Sequence, residues 1–325
     1  MALAVVLSAC AAPTKPTHNA ATVPSPTSSA APTTTTATST PVTPHPPTTT
    51  TPTTTSGTTV GTTVLALVDR SRPTISRGRQ LSALRTLTTT VWYPQGGGNH
   101  PLVVFAHGYR IGVGPYRRLC LALAQKGFVV AAPSFPLTDQ SVAGTALDEG
   151  DTVNQPADLT FVITQVLAAS ASASGVLHGR VDAGSIAAVG HSDGADTVLA
   201  LGYLPANKDQ RVTAVVADAP DPLPRPAGPP LASTVPLLLI HGDHDTISPF
   251  SGSQRLVTQL RTKGWFLVLR GADHLPPIEG GSAWTPVLDR VTIDFLTGIF
   301  AGDPNLGQRL TADVQQSPAA LTALP

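Results

Sequence analysis

The stretch Gly190-His191-Ser192-Asp193-Gly194 constrains this chain more than any other, because of what stands on either side of it. Before it runs Ser185-Ile186-Ala187-Ala188-Val189, short and apolar like a buried strand, and residues 195–204 after it read as a helix. A serine with glycines two before and two after, at a strand-to-helix junction, fits a sharp turn in which two backbones pass closely. Such a turn holds Ser192 out at the edge of a sheet. A serine hydroxyl is a weak nucleophile at neutral pH and needs a base within hydrogen-bond reach, with a third group to orient that base. The pattern therefore asks the rest of the chain for a histidine and an acid.

Two later loops answer. The apolar run Leu237-Leu238-Leu239-Ile240 predicts a strand and leads into His241-Gly242-Asp243-His244-Asp245-Thr246-Ile247-Ser248-Pro249. Residues 265–269 predict another, followed closely by Gly271-Ala272-Asp273-His274. Both loops lie past the carboxyl ends of strands, the edge where open α/β sheets bind ligands. The remaining strand-like runs are 63–68, 87–93, 102–106, 128–132 and 212–217, with helical spacing over 115–126, 154–169, 250–263 and 287–300. Strands alternating with helices predict an α/β fold: a mostly parallel central sheet covered by helices on both faces, the first two strands forming an antiparallel edge.

Composition sets the limits of that domain. Residues 11–60 are Thr, Pro, Ala and Ser with almost no large apolar side chain, a tether that cannot bury enough surface to fold. Residues 61–302 form one catalytic domain on this reading, and 303–325 a tail of ambiguous structure. The net charge is zero with 12% charged residues and no basic block, which excludes nucleic acid as an expected partner. Residues 1–10 end in Leu7-Ser8-Ala9-Cys10, which resembles the lipobox of bacterial lipoproteins. No Lys or Arg precedes the apolar run, so it reads as the end of a signal peptide. The resemblance implies lipidation at Cys10 and a domain exported and held on the outer face of a bacterial membrane, or secreted. Cys120 falls on an apolar helical face, where packing is its expected role.

In the order Ser192, Asp245, His274, the chain resembles the α/β-hydrolase superfamily over about 60–300. Trp92-Tyr93-Pro94 and Val104-Phe105-Ala106-His107-Gly108 precede the serine motif in the superfamily's order. The nearest likeness is to bacterial cutinase and polyester-hydrolase esterases, the dienelactone-hydrolase-like group and the platelet-activating-factor acetylhydrolases. The resemblance implies a serine carboxylic-ester hydrolase with Ser192 as nucleophile, His274 as base and Asp245 orienting it. The oxyanion would be held by the backbone N–H groups of Tyr109 and Asp193, and no cofactor or metal is implied. Tyr109 is also a candidate to stack on the substrate, a small-molecule or lipid-like ester, in a monomeric enzyme. The tryptophan that polyester hydrolases carry after the sixth strand is replaced by Asp218-Ala219-Pro220-Asp221-Pro222, which argues against a polymer substrate.

Rival assignments stay open at this point. Asp243 is two residues from Asp245, and Asp218 occupies the place where the acetylhydrolases carry their acid. His107, His191 and His241 adjoin glycines in family turns and read as structural. The segments 150–156 and 220–230 are expected to border the pocket. A serine peptidase of the prolyl-oligopeptidase superfamily would share triad and fold, and in a non-catalytic surface binding module the hydrolase fold would be a relic.

Overall fold

The structure, a computed structural model, describes residues 58–221 and 231–324. Nine strands form one sheet: β1 (Val60–Asp69), β2 (Arg85–Pro94), β3 (His100–Ala106), β4 (Val129–Pro133), β5 (Val181–His191), β6 (Val212–Asp218), β7 (Leu237–Gly242), β8 (Gly264–Leu269) and β9 (Ala319–Ala323). Their spatial order is β1-β2-β4-β3-β5-β6-β7-β8-β9. From β4 to β8 every neighbouring pair is parallel, while β1, β2 and β9 pair antiparallel at the two sides. This is the α/β-hydrolase fold.

Alternation along the strands explains why both faces are covered. In β3, Leu102, Val104 and Ala106 enter one buried cluster, and Val103 and Phe105 the other. A continuous apolar run has no solvent side, so helices must lie on both. On the second of these faces lies α1 (Arg117–Gln125), which carries the fully buried Cys120. The first face receives α2 (Gln155–Ala171), α3 (Asp193–Tyr203) and α4 (Phe250–Gln259). The second is completed by α5 (Thr285–Ala301) and α6 (Leu306–Asp313). In α2, Leu159, Val162, Ile163 and Val166 are buried, at the spacing of one helical face.

Three features differ from the sequence reading. The helix expected over 250–263 stops at Gln259, because Leu260 and Arg261 pair with Leu231 and Ala232 as two short strands. Residues 74–82, unassigned in the sequence, form a short hairpin whose Ser76 hydroxyl and Arg77 N–H donate to Asp148. The stretch set apart as a tail from 303 supplies α6 and β9, and β9 extends the central sheet. Ala319-Ala320-Leu321-Thr322-Ala323 has too few large or β-branched residues to read as a strand; pairing with β8 decides it. The signal-peptide remnant 1–10, Cys10 and nearly all of the tether lie outside the described residues, as does most of the proline-rich loop 220–230.

One buried charge cluster ties β2 to the start of α2. Arg85 of β2, 1% exposed, donates to both oxygens of Asp158 at 2.6 Å and to Asp151 at 2.6 and 3.0 Å. Arg72 adds a second contact to Asp158 at 2.8 Å. This cluster binds the start of α2, and the turn before it, to the sheet.

Candidate active site

Ser192 stands between β5 and α3 with φ 56° and ψ −130°. An L residue held in such a conformation costs about 1–3 kcal/mol, which the surrounding structure must supply. The flanking glycines show how. A Cβ on Gly190 would stand 2.1 Å from the Gly194 carbonyl oxygen, and one on Gly194 would stand 2.1 Å from that of Ala106. Only bare backbones fit this crossing, which presents Ser192 at the carboxyl edge of the sheet. Its own N–H donates to the Asp218 carbonyl of β6 at 2.9 Å.

The histidine and the acid come together across two loops. His274 Nδ1 lies 2.7 Å from Asp245 Oδ2. A carboxylate only accepts, so Nδ1 carries the hydrogen and Nε2 keeps its lone pair. The His274 ring packs against that of His191, centroids 4.5 Å apart and planes tilted by 47°, which sets it beside the serine turn. Its backbone is held at both ends: His191 Nε2–H donates to the His274 carbonyl at 3.2 Å, and the His274 N–H donates to Asp273 Oδ1 at 2.8 Å. Asp273 Oδ1 also accepts from the N–H and hydroxyl of Thr246, so one carboxylate ties the acid's loop to the base's loop.

Asp245 is kept ionised by its surroundings. Burial alone would raise it, but hydrogen bonds from His241 and His274, the charge of His274 and the Ser248 N–H outweigh burial and hold it well below the usual carboxylate range. Its second oxygen accepts from the N–H groups of Ile247 and Ser248 at 2.9 and 2.8 Å. The neighbouring Asp243 is occupied elsewhere, accepting the Gly271 N–H at 2.6 Å. Asp218 is the deeper rival. Its side chain borders a cavity of about 10 Å³ together with His191 and Thr292, and burial, reinforced by the charge of Asp245, raises it well above the usual range. Among the described residues no hydrogen bond joins Asp218 to His274, whose Nδ1 is taken by Asp245.

The loop after β3 is oriented peptide by peptide. His107 Nδ1 donates to the Gly108 carbonyl at 2.8 Å, while its Nε2 accepts the Phe135 N–H at 3.1 Å. In a trans peptide the N–H points opposite to the C=O. Fixing the Gly108 carbonyl toward His107 therefore turns the Tyr109 N–H away from His107, and no backbone acceptor takes it among the described residues. The Gly108 N–H donates to the Tyr116 hydroxyl at 3.0 Å, and that hydroxyl donates to His191 Nδ1 at 2.9 Å. Burial, with the charge of His274 close by, pulls His191 down to about 3, so it stays neutral. The Asp193 N–H opens α3 on the other side of the serine.

His107, Tyr116, His191 and Asp273 hold the loops around Ser192, Asp245 and His274 in place. The first three are buried polar groups inside apolar context, and nothing in local sequence pattern pairs them. Beside Tyr109 a cleft of about 470 Å³ is lined by Arg110, Ile111, Val113, Asp139, Gln140 and Ser141. Arg110, with φ 72°, is fixed by its N–H to the Thr138 carbonyl at 2.7 Å. Among the described residues no group of three His, Cys, Asp or Glu side chains is placed to hold a metal ion.

Residues 69–223 match the family model described as chlorophyllase. The matched stretch carries the loop at Tyr109 and the turn at Ser192, and ends before Asp245 and His274. No curated protein matches the chain. Taken with the order and direction of the strands, the match is consistent with the α/β-hydrolase fold.

Proposed function

We propose that the chain is a serine carboxylic-ester hydrolase. The observation that carries this reading is the 2.7 Å contact from His274 Nδ1 to Asp245, which leaves the Nε2 lone pair available on a ring packed against the residue before Ser192. Ser192 Oγ attacks the ester carbonyl as its proton passes to His274 Nε2, and Asp245 stabilises the imidazolium. The carbonyl oxygen gains the negative charge and is met by the N–H groups of Tyr109 and Asp193. Collapse breaks the ester C–O bond, His274 returns the proton to the leaving alcohol, and the acyl group remains on Ser192. Water then attacks the acyl-enzyme with His274 again as base, releasing the acid. Removing one oxyanion donor in such a site costs about 3 kcal/mol of barrier.

The chlorophyllase match supports an ester substrate. Export and lipid attachment through Cys10 belong to the same proposal, resting on Leu7-Ser8-Ala9-Cys10. Among the described residues no helix is long and apolar enough to cross a membrane. The test is hydrolysis of p-nitrophenyl esters from acetyl to palmitoyl by the full chain, with Ser192→Ala alongside. Turnover that disappears in the variant is the expected result. A folded wild-type chain inactive on every ester would overturn the reading.

A further inference from the structure

A chain of buried side-chain hydrogen bonds joins the two sides of the proposed oxyanion site. Gln155, at the start of α2, is fully buried. Its Nε2 donates to Thr138 Oγ1 at 2.8 Å, and its Oε1 accepts from Thr197 Oγ1 at 2.6 Å. Thr138 is the residue whose carbonyl takes the Arg110 N–H, one peptide beyond Tyr109. Thr197 lies on α3, with Oγ1 3.0 Å from the Asp193 carbonyl. All three side chains are at most 1% exposed, so water does not substitute for the bonds between them.

Gln155 is itself fixed on both sides. Asp151 precedes it and Asp158 follows it, and both are bound to the buried guanidinium of Arg85. An amide held this way acts as a strut of set length between the loop after β4 and the first turn of α3.

We infer that Gln155 is a positioning residue that sets the span between the Tyr109 and Asp193 N–H groups through Thr138 and Thr197. The inference rests on the ester-hydrolase reading of the same site. An oxyanion forms only in the transition state, so a span that drifts weakens transition-state binding and leaves substrate binding nearly alone. A displacement of a fraction of an ångström is enough to be seen as rate.

The decisive variant is Gln155→Met in the full chain, which keeps length and apolar volume and removes both bonds. Expected is a fall in kcat of about tenfold with KM changed by less than about twofold. The affinity of an alkyl boronic acid, whose adduct on Ser192 is tetrahedral, should fall in parallel, and Gln155→Glu, which keeps the acceptor for Thr197, should recover part of the loss. A folded Gln155→Met chain with wild-type kcat and boronate affinity overturns the inference while ester hydrolysis stands. A wild-type chain inactive on every ester overturns the reading beneath it and the inference together. Should Gln155→Met fail to fold, Thr138→Val and Thr197→Val decide. A strut cut at either end is cut, so the double variant should lose no more kcat than the worse single variant. Losses that multiply would overturn the inference.

Discussion

The Tyr116 hydroxyl lies 2.9 Å from His191 Nδ1, directly behind the serine turn, and the same oxygen accepts the Gly108 N–H at 3.0 Å. Burial pushes this phenol up, so it remains a donor across any working pH. Tyr116→Phe keeps the ring against Phe105, 4.9 Å between centroids, and leaves two buried polar atoms without partners. The expected loss is about 1–3 kcal/mol of unfolding free energy, read from urea denaturation. An unchanged urea midpoint would mean that the bridge carries no stability.

Asp245 and Asp218 make opposite demands on a single assay. Asp245→Asn removes the acceptor that fixes the His274 tautomer and should lower kcat about 10⁴-fold. Asp218→Asn removes a carboxyl that makes no bond to His274 and should leave kcat near the wild-type value. Steady-state kinetics of the two purified variants decides; the reverse pattern would move the acid to β6.

Asp218 also predicts a pH dependence of stability. Its folded pKa is raised well above 3.8 by burial and by the Asp245 charge. Between these two values the native state holds a proton that the unfolded chain has released, so its contribution to stability falls as pH rises. Asn cannot titrate. The stability of Asp218→Asn relative to wild type should therefore grow from pH 4 upward by about 1.4 kcal/mol per pH unit, until the folded pKa is reached. Urea midpoints at pH 5 and pH 7 measure it, and a gap that does not widen would contradict a neutral buried acid.

Arg85 answers a question of energetics. Arg85→Met would leave Asp151 buried without its cation and Asp158 with Arg72 alone, at an expected cost of about 3–5 kcal/mol. Thermal unfolding of the variant should show it. A loss below about 1 kcal/mol would place these carboxylates in the same class as surface ion pairs.

How much of this was visible in the residues follows from the range of each interaction. The elbow at Ser192, the parallel strands and the helical faces rest on patterns within a dozen residues, and periodicity registers them. Asp245 and His274 were legible because each follows a recognisable strand in the expected order. The hairpin over 74–82 and strand β9 were not, since polar residues and small alanines carry little strand signal and pairing partners decide both. The orienting groups were hidden for another reason. The Arg85 bonds to Asp151 and Asp158 span 66 and 73 positions, and the Tyr116 to His191 contact spans 75. No local pattern can announce a partner that far along the chain.

The conformation of Ser192 bears on inheritance. At φ 56° and ψ −130° glycine is at ease, while serine spends about 1–3 kcal/mol to stay. A scaffold of this shape that had given up turnover and survived only as a surface for display would gain stability by drifting to glycine at this position. A serine kept there forgoes that gain.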